Sequence, residues 1–139
     1  MGIEAQAFLV YGVDLGDNVP DKFNPNKNSY IDFEDVICEA AGLTEPPYSS
    51  PEYREYSAKR KALLEKCPVD LCTYGDDDDR QYALFVRGKN ISAHNLEPTR
   101  VNLTSLTISE EHLAAAAAFC QEYGVRWANP SWLLITRRC

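Results

Sequence analysis

The densest chemistry in the chain is a run of consecutive aspartates, Asp76, Asp77, Asp78 and Asp79, directly after Gly75. Adjacent carboxylates alternate in direction, so they do not readily converge on one metal ion. Charge runs ordinarily face solvent, and the sharper reading is a patch that imitates phosphate toward the basic surface of a protein partner. A second set with ligand chemistry is the stretch Asn24–Asp35, NPNKNSYIDFED. Its oxygen side chains, Asn24, Asn26, Asn28, Asp32 and Asp35, fall at positions 1, 3, 5, 9 and 12 of a calcium loop. It departs from that pattern where Ser29 replaces the turn glycine and Asp35 replaces the bidentate glutamate. Turn formation and helix capping explain the same residues. A calcium-responsive module is therefore the alternative reading, and otherwise no cofactor is expected.

Signatures of catalysis are missing. The chain has no GxSxG, HExxH, GxGxxG or P-loop pattern. Cys67 and Cys72 are spaced too widely for a zinc knuckle, and His94 and His112 stand apart with no motif around either. An active site would have to assemble from scattered residues, either Cys72 with His94 or Asp14 and Asp17 with a tyrosine. The sequence leans away from an enzyme. Tyr11, Tyr82, Trp127 and Trp132 lie in apolar runs and read as core rather than as base-stacking platforms.

The elements that must position these residues follow from periodicity. Ala5–Val13 is apolar in both phases of its alternation and reads as a buried strand, followed by a loop over Asp14–Asn28. Ser29 and Asp32 are spaced as a capping box for a helix ending near Ala41. Ser50-Pro51-Glu52 opens a basic helix that Pro68 stops. Val69–Arg87 reads as a hairpin with the aspartates at its tip and Tyr82–Val86 as a central strand. Gly88–Asn95 reads as a turn and Arg100–Leu106 as a short edge strand. Thr107–Glu110 fits a capping box for the helix Ser109–Tyr123, whose inner face would be Leu113, Ala117 and Cys120 with Ala116, Phe119 and Tyr123 beside them and which Gly124 closes, and Trp132–Arg137 is a last strand.

This order implies an α+β fold in a single domain spanning residues 1–139, with an antiparallel or mixed sheet and helices mainly on one face. The simplest form is a split βαβ, ferredoxin-like arrangement with Ala5–Val13 and Gln81–Arg87 as its central strands. Exposed edges at Arg100–Leu106 or the C-terminal strand would let two copies pair as a homodimer.

A formal charge of −7 repels phosphate backbones and anionic lipid, so direct nucleic-acid or membrane binding is not expected. No run reaches the roughly 18 apolar residues of a membrane span. The first residues lack the basic region and cleavage site of a secretory signal, and five cysteines are an odd number. Both features favour reduced thiols in a cytoplasm.

Val10-Tyr11-Gly12 near the start, an acidic hairpin, and a helix–Tyr-Gly–strand unit in FCQEYGVRWANPSWLLITR give the chain a familiar layout. It resembles small phage- or prophage-encoded proteins in that layout. The resemblance implies an accessory protein acting in the host cytoplasm by binding, inhibiting or modulating a host protein.

Overall fold

The computed structural model describes residues 5–24, 31–76, 78–94 and 98–138. Its elements are β1 (Ala5–Gly16), a 3-10 turn at Asp21–Phe23, α1 (Phe33–Ala40), α2 (Tyr53–Lys66), β2 (Val69–Asp76), β3 (Asp79–His94), a second 3-10 turn at Leu103–Leu106, α3 (Glu110–Tyr123) and β4 (Ser131–Arg138). The chain divides into two compact units, one of Met1–Val19 with Pro68–Cys139, the other of Pro20–Cys67.

The first unit carries a four-stranded sheet of order β2-β3-β1-β4. Every pairing is antiparallel, so β1 and β2 run in the same direction with β3 between them. That is an α+β sheet with the strand order of a split βαβ unit, and its two inner strands are those expected from their apolar sequences. Tyr82, Ala83, Leu84, Phe85 and Val86 are all buried, as a strand bonded on both sides and covered on both faces requires. On one face Val10, Ala83, Phe85 and Ile135 form a core, with Phe8, Cys72, Tyr74 and Leu133 packed around it.

The ladder between β1 and β3 is broken twice, with a small shift between Asp14 and Gly16 and a larger one between Val10 and Gly12. Val10 pairs with Asn90 and Gly12 with Phe85, so Tyr11 alone faces the excursion Val86–Lys89. Gly88 makes this excursion with a φ of 77°, the left-handed region that glycine enters at little cost. Gly12 closes it: a Cβ there would lie 1.9 Å from the Leu84 carbonyl oxygen. The turn expected over Gly88–Asn95 is therefore a bulge inside one long strand. The N-terminal half of β1 needs a partner, and residues 90–94 return to supply it.

Other local expectations shift for reasons of hydrogen bonding. Arg100–Leu106 is no edge strand. Asn102 Oδ1 accepts from the Thr104 amide and hydroxyl at 3.1 and 3.0 Å and curls the chain into the 3-10 turn. Ser109, not Thr107, caps α3, its Oγ accepting from His112 N at 3.2 Å. Gly124, at a φ of 74°, ends that helix. Of the five alanines 114–118 only Ala116 is buried, with Cys120 one turn on; Ala117 lies a step round the helix and is exposed. α3 packs against β3.

In the second unit Asp32 caps α1 by accepting from Asp35 N at 3.2 Å, while Ser29 lies outside the described residues. α2 begins at Tyr53, later than the proline suggests, because the Ser50 carbonyl takes the Tyr53 amide in a turn across Pro51-Glu52. Phe23, fully buried, meets Phe33 edge to face with ring centres 5.4 Å apart.

Candidate functional site: the acidic end of the sheet

The hairpin tip is built by register. Asp76 pairs with Asp79, and Gly75, at a φ of 85°, faces Arg80. A Cβ on Gly75 would sit 2.8 Å from the Asp79 carbonyl, so only glycine lets the two strands close here. Asp76, Asp78 and Asp79 are exposed, and Asp77 lies outside the described residues.

The sheet adds carboxylates from a second segment. β1 runs on to Gly16, pairing Asp14 with Ala83 and Gly16 with Tyr82, beside the start of the hairpin. Exposed Asp14 and Asp17 thus stand at the same end of the sheet as the aspartate tip. Asp14 Oδ1 accepts from Gly16 N at 2.9 Å and from the Tyr74 hydroxyl. Burial, followed by the hydrogen bond to Asp14 and that carboxylate's charge, pushes the Tyr74 phenol up to about 12. Such a phenol stays protonated at neutral pH, which suits a donor that holds Asp14 in place. It does not suit a general base.

The other sequence candidates separate. Asp14 does meet a tyrosine, but Cys72 and His94 do not meet: Cys72 pairs with Ala83, while His94 pairs with Gln6 at the far end of β3, its Nδ1 3.1 Å from Gln6 Nε2. In the calcium-like stretch, Asn24 follows the first 3-10 turn, its amide bonded to the Asp21 carbonyl, and Asn26 and Asn28 lie outside the described residues. Asp32 caps α1, and Asp35 accepts from Arg60 Nη1 at 2.9 Å. Among the described residues no group of three His, Cys, Asp or Glu side chains is placed to hold a metal.

Two features carry no signal in residue spacing. Arg60 reaches across from α2 to Asp35 and, at 3.3 Å, to Glu34 on α1, while its Nη1 also donates to the Tyr56 hydroxyl at 3.1 Å. The bonds to Asp35 first and then to Tyr56 hold its charge more firmly than usual. An open groove of ≈ 550 Å³ on the same helix is lined by Tyr48, Ser50, Tyr53, Arg54, Ser57 and Lys61. It offers cations and hydroxyls but no carboxylate, imidazole or thiol for proton transfer. The acidic end is the stronger candidate.

Neither a family model, nor a curated protein, nor a solved structure matches the chain.

Proposed function

We propose that the protein is a non-enzymatic binding module whose acidic sheet end docks on the basic surface of a protein partner. One observation supports this above the others: carboxylates from two separate segments, Asp14 and Asp17 on one side and Asp76, Asp78 and Asp79 on the other, stand exposed at one end of a rigid sheet. A patch of one sign raises the encounter rate with an opposite patch and fixes its orientation. Tyr74 orients one of these carboxylates before any partner arrives, which lowers the ordering cost of binding. The phage-like layout makes a host cytoplasmic protein the natural target for a modulator of this kind.

Exposed ion pairs contribute about 0.2–1 kcal/mol each, so the test removes several carboxylates together. Capture of partners from host lysate is compared between the wild-type chain and an Asp76→Ser, Asp78→Ser, Asp79→Ser variant at low and high salt. A specific partner should be lost in the variant and weakened by salt, because the screening length shortens to about 3 Å at 1 M. A partner retained under both conditions would overturn the electrostatic reading.

A further inference from the structure

On one side of α2, Arg60 is spent on Glu34 and Asp35 of α1. Another side carries Arg54, Ser57 and Lys61 at the i, i+3, i+7 spacing of a single helix face, all three exposed. This face lines the open groove of ≈ 550 Å³, which Tyr48, Ser50 and Tyr53 complete. The chain holds 21 acidic residues against 14 basic ones, yet no carboxylate lines this groove. Lys59 is paired with Glu55 at 3.0 Å, whereas Arg54 and Lys61 enter no ion pair among the described residues. The aromatic end is equally built. Tyr48 is 84% exposed, the most of any large hydrophobic side chain among the described residues. Its ring meets Tyr53 edge to face at 4.9 Å, and Tyr53 meets the buried Tyr56 at 5.7 Å, so the exposed ring is tied to the helix. Ser50 Oγ, covered from solvent, has no hydrogen-bond partner among the described residues, although buried polar atoms ordinarily have one.

From this arrangement we propose that the groove binds a nucleoside polyphosphate, its base stacked on Tyr48 and its phosphates laid along α2 between Arg54 and Lys61. Every base offers a flat π-face to a tyrosine ring. Arg54 and Lys61 are seven residues apart, about 10 Å along the helix axis. Cations so placed suit charge spread over a phosphate chain better than one compact anion. Ser57, between them on the same face, adds a hydroxyl donor, and Ser50 adds another. The volume is that of a site for one small ligand. A long polyanion is opposed by the net charge of −7, whereas a short one meets chiefly the two unpaired cations beside it. No carboxylate, imidazole or thiol lines the groove to move a proton, so the nucleotide is held rather than turned over.

Calorimetric titration of the full chain with ADP, adenosine, pyrophosphate and phosphotyrosine reads the two ends of the groove separately. ADP should bind more tightly than adenosine, pyrophosphate or phosphotyrosine. Arg54→Gln combined with Lys61→Gln should weaken ADP by about tenfold or more. Tyr48→Ala should weaken ADP by about tenfold and leave pyrophosphate binding unchanged. All three side chains are exposed, so the free variants should melt like wild type. No binding of ADP at millimolar concentration overturns the proposal. So does ADP binding indifferent to the Arg54→Gln, Lys61→Gln pair, pyrophosphate bound as tightly as ADP, or phosphotyrosine bound more tightly. The Asp76→Ser, Asp78→Ser, Asp79→Ser variant should bind ADP like wild type, which keeps this outcome separate from that for the acidic end.

Discussion

Tyr74 on β2 donates its phenolic hydrogen to Asp14 on β1, reaching across the strand that separates them. Ala83, on the intervening strand, pairs with both Cys72 and Asp14 and is fully buried. A larger side chain at that position would stand between the ring and the carboxylate. One bond therefore ties the hairpin to the end of β1 and joins the two groups of acidic residues.

The bond has a titration signature. In an alkaline absorbance titration one tyrosine should ionise near 12, and Asp14→Asn should lower that value only part of the way to the ordinary value of about 10, because burial, its largest cause, remains. The phenol's value is raised on folding, so its contribution to stability is complete below pH 10 and is lost as pH rises through 12. Tyr74→Phe should cost about 1 kcal/mol in urea unfolding at neutral pH, since Asp14 is exposed and water replaces the lost donor. Unchanged tyrosine titration in Asp14→Asn would contradict the bond.

Two glycines of β1 separate crowding from backbone strain. Gly12→Ala drives a methyl to within 1.9 Å of the Leu84 carbonyl, against backbone that cannot rotate away. A loss of about 3 kcal/mol or more is expected, at the top of the overpacking range. Gly16→Ala meets open space but holds a φ of 58°, so about 1 kcal/mol is expected. Equal denaturation midpoints for the two variants would refute this ordering.

Arg60→Met should lower the melting temperature by more than Arg60→Lys restores. The guanidinium serves Glu34, Asp35 and Tyr56 at once, and an ammonium cannot span all three with a planar fork. Its side chain is 25% exposed, so high salt should weaken the tie only in part. Full replacement by lysine in thermal unfolding would show that charge alone is what α1 requires.

Thiol reactivity should follow burial. Burial pushes the Cys120 thiol up to about 11 and raises that of Cys38, and both are almost wholly covered. At pH 8 both stay as neutral thiols, the unreactive form. Mass spectrometry after brief alkylation of the native protein should find Cys72, which is half-buried, labelled before Cys38, Cys67 or Cys120. Early labelling of Cys120 would mean that α3 opens far more readily than its packing implies.

The sequence by itself determined the class of fold and most of the local elements, the exceptions being the 3-10 turn at Leu103–Leu106 and the bulge at Gly88. Apolar runs without alternation mark β1 and residues 82–86 because strands bonded on both sides must be covered on both faces. Gly124 marks the end of α3 because it satisfies backbone groups close by, whereas the cap lies at Ser109 and not at the expected Thr107. The hairpin around Asp76–Asp79 was legible for the same reason, since glycine and charge belong at a tip. Tertiary structure alone decided what meets what. That β3 continues through Gly88 depends on the unpaired half of β1, a requirement arising many residues away. That Asp14 joins the aspartate tip depends on a register no local pattern encodes, and Arg60 meets Glu34 and Asp35 only once two helices pack. Spacing along a chain governs contacts within one element, whereas pairing between elements is set by whichever burial and hydrogen bonding the whole chain can satisfy together.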